Sequence, residues 1–147
     1  MKTAGIDSWE VLATVLGSDL ELIKTKHPLF DRDSLVITGD HVTLDAGTGC
    51  VHTAPGFGAD DFIVCQRYNI PIIVPVDGKG RHTAESGKYE GMFVDDSNEV
   101  ILKDLDDCGA LLATEDIVHS YPHCWRCKKP IIFRATPQWF CSVDSFK

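Results

Sequence analysis

Apolar positions change period several times along the chain, and each change marks an element. Asp7 followed by Glu10 resembles a capping box, so Trp9 to Leu16, stopped by Gly17, reads as a short helix. Leu20, Leu22 and Ile23 then form a strand-like section that ends at Pro28, and LVITGDHVTLD reads as two short strands around a turn at Thr38 to His41. GCVHT is a further extended run, stopped by Pro55. Asp60 to Tyr68 reads as a helix with Pro71 beyond it, and IPIIVPV, residues 70–76, as a β-branched strand bounded by prolines and DGKG. After a loop rich in Gly, Lys and Ser, a longer helix is predicted from Asp96 or Ser97 to Cys108. It carries Val100, Ile101, Leu105 and Cys108 at helical spacing and stops at Gly109. Leu111 to Ala113, Ile117 to His119 and Ile131 to Arg134 complete the expected strands. Many short strands with a few interspersed helices predict an α+β domain built on a barrel or strongly curved sheet. With no internal repeat, no low-complexity tract and no visible boundary, residues 1–147 read as one domain.

Composition narrows this picture. At 147 residues and 44% hydrophobic, the chain is long and apolar enough for a substantial core. No run of about 18 apolar residues could span a bilayer, and MKTAGIDSWE lacks the plan of a signal peptide, so the expectation is a soluble, cytoplasmic protein with no membrane partner. The six cysteines lie mostly in apolar contexts such as FIVCQ and GCVHT, which suits reduced, buried thiols better than a secreted disulfide framework. A net charge of -8 argues against a general nucleic-acid binder. Yet RCKKPIIFR, residues 126–134, holds four of the fourteen basic residues and no acid, leaving one local patch that could face an anion.

Several familiar motifs fail. The glycines of GTGCVH and GFGADD fit neither the dinucleotide fingerprint nor the phosphate loop. No Gly-x-Ser-x-Gly is present, and no His or Cys has an orienting neighbour that spacing identifies. Cys124-Trp-Arg-Cys127 has zinc-knuckle spacing, but a structural zinc site wants four ligands and there is no second CxxC. It is either half of a site, or two reduced thiols, or a site completed by His119 or His123.

What remains is GTGCVHTAPGFGADDF, residues 47–62. Asp60 and Asp61 stand at a helix start, where exposed N–H groups and the macrodipole favour carboxylates, so either can act as a cap. As a pair, one can cap while the other faces a cleft and binds an ammonium group by a charge-assisted hydrogen bond. His52 is either a packing residue or a site residue held at a strand end by Thr53-Ala54-Pro55-Gly56.

This stretch, with HSYPHCWRCKKPIIFRATPQWF further on, closely resembles the editing insertion of bacterial-type isoleucyl-tRNA synthetases. That insertion is a β-rich, barrel-like domain related to those of the valine and leucine class I enzymes. HTAPG at residues 52–56 is the isoleucine-type variant, against Lys-Ile-Thr-Pro-Ala-His and Val-Pro-Ala-His-Asp in the valine and leucine enzymes. The resemblance runs from about WEVLATVLGSDLE onward and implies a fragment of a much larger multidomain enzyme, with residues 119–140 as the return segment carrying the CxxC. It implies hydrolysis of Val-tRNA(Ile), the tRNA 3′ end and the parent's catalytic core as partners, and no cofactor for this span. ATP, Mg and Zn belong to the parent. By motif position, Asp61 matches the carboxylate that binds the α-ammonium group, and His52 matches the pocket residue that helps exclude isoleucine. Thr48 and Thr53 match pocket-wall or substrate contacts, Gly56 and Phe57 stand in the same substrate-binding segment, and Cys124 and Cys127 match half of a metal site whose other cysteines lie elsewhere.

The sequence departs from that family in two respects. Gly56-Phe57-Gly58 stands where Gly-His-Gly is usual, so a polar side chain is replaced by one that packs or stacks. A Thr-rich pocket wall has no counterpart in residues 1–46, and the signatures for ATP-dependent activation are absent. A second reading is therefore a non-catalytic stretch that binds the tRNA acceptor end or forms a zinc knuckle.

Overall fold

The computed structural model describes residues 5–43, 45 and 48–146. Its elements are a 3-10 turn Gly17–Leu20, strands β1 (Lys24–Lys26) and β2 (Asp33–Leu35), helix α1 (Ala59–Arg67), a 3-10 stretch Ala84–Tyr89, helix α2 (Val94–Asp107) and a last 3-10 turn Val143–Phe146. The class is α+β, with a two-stranded sheet among the described residues. The chain divides into two units, Met1–His52 with Pro75–Ile131, and Thr53–Val74 with Ile132–Lys147.

In the first unit β1 and β2 form an antiparallel hairpin that pairs Lys24 with Leu35 and Lys26 with Asp33. The last pair carries a cross-strand ion pair, Lys26 Nζ to Asp33 Oδ1 at 2.6 Å, the type of opposite-charge pair that favours a register. His27 closes the hairpin: its N–H donates to the Arg32 carbonyl, and its Nδ1 accepts from the N–H groups of Leu29 at 3.1 Å and Phe30 at 3.2 Å. Val76, Tyr89, Ser86 and Ser97 form the buried centre of this unit. His82 joins two of them, with Nδ1 3.1 Å from Ser86 Oγ and Nε2 2.8 Å from Ser97 Oγ. Tyr89 Oη donates to Asp104 Oδ2 at 2.6 Å, and Lys88 pairs with the other oxygen at 2.8 Å, so the 3-10 stretch is tied to α2 through one carboxylate. Both partners hold the Asp104 pKa below its ordinary value, Lys88 most strongly.

In the second unit Val64 and Cys65 of α1 are the buried side chains. Asp60 and Asp61 fill its first turn and Arg67 its last, in line with the macrodipole. Both helices end alike. Gly109 (φ 70) follows α2, with Ala110 N–H bonded to Leu105 O at 2.8 Å and Gly109 N–H to Asp106 O at 2.9 Å. Asn69 (φ 54) follows α1, with Ile70 N–H bonded to Cys65 O at 3.0 Å and Asn69 N–H to Gln66 O at 3.2 Å. Each is a Schellman stop, which requires a left-handed residue.

The two long helices and the Gly109 stop agree with the sequence pattern, although α2 begins at Val94, ahead of Asp96. Other expectations fail. Residues 9–16 form no helix, since eight residues are too few to hold one without burying a face, and Val11, Leu12, Val15 and Leu16 are all exposed. Residues 70–75, 111–113, 117–119 and 131–134 form no named strand; Val76 makes one isolated bridge, to His82. An alternating pattern sets an extended backbone but not the partner that turns it into a ladder. Of the six cysteines only Cys65 is buried. Leu44 of the second strand expected in LVITGDHVTLD, and Gly47 at the head of GTGC, lie outside the described residues.

Candidate functional site

The second unit brings together the turn Ala54–Phe57 and the start of α1. Phe57 N–H donates to Ala54 O at 2.9 Å, closing the turn that Pro55 and Gly56 occupy. Gly56 is buried, and a Cβ there would stand 2.7 Å from the Ile73 carbonyl oxygen and 2.9 Å from Val74 Cγ2. Only a glycine lets the turn approach residues 73–74 this closely, and the Gly56 carbonyl accepts the Ala135 N–H at 2.7 Å. Phe57 is half-buried, as is Thr53 at the unit's start.

Gly58, extended at φ -143 and ψ 142, is the N-cap of α1, and no side chain caps the helix. Asp60, offered by the sequence as a cap, is exposed in the first turn. A glycine in the cap position leaves the orphan N–H groups without a side-chain acceptor, and the two carboxylates act there only through the dipole. Asp61 is half-buried and turns back over Gly58, so that its Oδ2 accepts the Ala54 N–H at 3.1 Å. The carboxylate therefore bridges the helix start and the HTAPG turn. Its Oδ1 has no hydrogen-bond partner among the described residues and can accept from a cation. Behind it, burial pushes the Cys65 thiol up, and the Asp61 charge adds to that. A protonated, inert thiol backs the carboxylate.

His52 and Thr48 belong to the first unit. His52 is exposed. Thr48 Oγ1 accepts the Cys50 N–H at 3.2 Å, an exposed turn that folds the residue onto its own backbone. His27, which the sequence reading passed over, lies near enough to interact with His52 electrostatically. Its own burial first, then Arg32 and His52, hold its pKa below the ordinary 6.5.

Cys124 to Lys129 form a tight knuckle, with Cys124 N–H bonded to Lys129 O and Lys128 N–H to Cys124 O, each at 2.8 Å, and Lys128 left-handed at φ 59. Main-chain N–H groups of Cys127 and Arg126, with the Cys127 side chain, hold the Cys124 thiol below its ordinary pKa. The fold of the turn suits two thiolates gripping a soft metal. Even so, among the described residues no three His, Cys, Asp or Glu side chains gather as a metal group, and four ligands are wanted. The Nδ1 atoms of His119 and His123 lie 3.0 Å from the Ser120 carbonyl and 2.8 Å from that of Tyr121, which leaves Nε2 as the ring nitrogen able to ligate, yet neither ring gathers with the two thiols into a group of three. This span by itself does not fit a complete zinc site. No helix among the described residues is long and apolar enough to cross a membrane.

No family model matches the chain. Several relatives nonetheless share one class, the ligases of amino acids to tRNA. Eight relatives at 54–61% identity are isoleucine–tRNA ligases: the full 147 residues are 61% identical to a stretch of the enzyme from Caldicellulosiruptor saccharolyticus, covering 100% of this chain and 16% of that protein. In Bacillus subtilis the identity is 59% over 143 residues, 97% of this chain and 16% of the relative. In Staphylococcus saprophyticus it is 60% over 141 residues, 96% and 15%. At such identities the chain is homologous to a segment of isoleucine–tRNA ligases, and it spans about 16% of the length of those relatives.

Proposed function

We propose that the chain is the editing domain of an isoleucine–tRNA ligase and hydrolyses valine wrongly joined to tRNA(Ile). One missing methylene changes binding by only about 1–3 kcal/mol, a limit for which the isoleucine enzyme is itself the standard example, so a second, smaller pocket is needed to remove valine. The observation that carries the reading is the half-buried Asp61 carboxylate, bonded through one oxygen to the HTAPG turn with the other open to a cation, in a sequence 61% identical to an isoleucine–tRNA ligase.

In this reading Asp61 anchors the α-ammonium of the misattached amino acid by a charge-assisted hydrogen bond. His52 limits the side chain, with Thr48, Thr53, Gly56 and Phe57 along the pocket and the terminal adenosine held nearby. A water attacks the ester carbonyl; its oxygen forms the new C–O bond, the bond to the ribose oxygen breaks, and the water's proton passes to that oxygen. Valine and uncharged tRNA(Ile) leave. Positioning and oxyanion stabilisation supply most of the acceleration. Residues 1–147 act as one editing module in a cytoplasmic enzyme, residues 119–140 returning the chain toward a catalytic core that uses ATP and Mg. Cys124 and Cys127 supply two ligands of a zinc site completed elsewhere. The extended runs at 70–76, 111–113, 117–119 and 131–134 pair as strands of a barrel-like fold when the rest of such an enzyme is present. Supporting this is the large amount of apolar side chain left open, including Trp139 at 103% and Phe140 at 91% exposure.

Asp61→Ala in the synthetase polypeptide carrying this segment tests the reading. Hydrolysis of Val-tRNA(Ile) is expected to fall by at least about a hundredfold while charging with isoleucine survives. Unchanged hydrolysis would remove Asp61 from the site. The second reading, a non-catalytic tRNA-acceptor or zinc-knuckle stretch, rests on the Cys124–Lys129 turn and predicts no hydrolysis in the wild type.

A further inference from the structure

We propose that Gly58 is the positioning residue of the ammonium-binding carboxylate: its missing side chain is the space through which Asp61 folds back to the Ala54 N–H. This rests on the editing reading of Asp61 and adds a residue to it. Gly58 has φ -143 and ψ 142, extended backbone that any residue adopts, so no conformational demand explains the glycine. Space explains it. A Cβ on residue 58 would stand 2.8 Å from Asp61 Oδ2 and 3.0 Å from Asp61 Cγ, inside van der Waals contact. The atom struck first is the one that accepts the Ala54 N–H.

One consequence is directional. With Oδ2 committed to the turn, the carboxylate plane is fixed and Oδ1 is the acceptor offered to a ligand, so a bound ammonium is held at one defined point. Swinging Asp61 aside to make room for a methyl group breaks the bond to Ala54 and sends both oxygens elsewhere. The backbone need not move, because the obstructed group is the end of a single flexible side chain.

Gly58→Ala is therefore a mild change to the fold and a large one to the carboxylate. The synthetase polypeptide carrying this segment is assayed for hydrolysis of valyl-tRNA(Ile) and of N-acetylvalyl-tRNA(Ile), which lacks the ammonium, as wild type, Gly58→Ala and Asp61→Asn. Loss of a charge-assisted bond predicts that Gly58→Ala slows the valyl ester by about tenfold or more, with the N-acetylated ester unchanged within about twofold. Asp61→Asn is expected to do the same. Equal loss on both esters in Gly58→Ala would mean a merely structural glycine and would overturn the inference. So would an unaffected Gly58→Ala beside an impaired Asp61→Asn, which leaves the editing reading standing. An unaffected Asp61→Asn would remove that reading and the inference together.

Discussion

The place of Asp61 in the first turn of α1 was legible in the sequence because carboxylates favour a helix start, while its proposed role as ammonium anchor came from the resemblance and not from its position. Gly58 was not legible, because a glycine between Phe57 and Ala59 reads as a turn, and only coordinates reveal that its missing Cβ makes room for Asp61. The burial of Cys65 was readable from its apolar context FIVCQ, whereas His27 was passed over because spacing shows neither its burial nor the main-chain N–H groups that its ring accepts. Cys65 is 2% exposed and its thiol is pushed up by burial and by Asp61, whereas Cys50, Cys108, Cys127 and Cys141 are exposed. A thiol reagent at neutral pH is expected to modify those four and spare Cys65 until the chain unfolds, as peptide mapping by mass spectrometry can read; early modification of Cys65 would contradict its burial. His27 accepts two main-chain N–H groups on Nδ1, which requires an unprotonated nitrogen, and its pKa lies below 6.5. Because the unfolded ring binds its proton at higher pH, the stability His27 contributes is complete above about pH 6.5 and is lost as pH falls through the folded-state value. Melting temperatures taken downward from neutral pH are expected to drop more steeply in the wild type than in His27→Leu; equal slopes would contradict this.

Helices were the best-read elements. Apolar spacing and a glycine stop fixed α2, and two aspartates opened α1, because both signals are local. The Asn69 stop of α1 was missed, since asparagine in the left-handed region is an exception to the glycine rule. The contrast can be measured. Gly109→Ala puts a Cβ into the left-handed stop of α2 and is expected to cost about 1 kcal/mol in chemical denaturation, while Asn69→Gly is neutral or stabilising. An unaffected Gly109→Ala would show that the last turn of α2 unwinds freely. The predicted helix at residues 9–16 and the four unpaired runs failed because their stability is not local: a short helix needs a surface to cover, and a strand needs a neighbour.

For the molecule as a whole, composition predicted a substantial core, and among the described residues the buried apolar side chains are few, Val76 and Tyr89 in one unit and Val64 and Cys65 in the other. The apolar residues counted toward a core are largely open, Trp9, Trp125 and Trp139 among them. The chain spans about 16% of its relatives' length, and in the proposed reading other parts of such an enzyme supply the packing partners. Composition registers how much apolar surface exists but not which chain segment covers it. The most direct test of the editing account is the rate at which the polypeptide carrying this segment deacylates Val-tRNA(Ile) and Ile-tRNA(Ile), measured side by side with uncatalysed controls. Rapid loss of the valyl ester with the isoleucyl ester left near the uncatalysed rate is the predicted result; equal rates on both, or no acceleration on either, would contradict it.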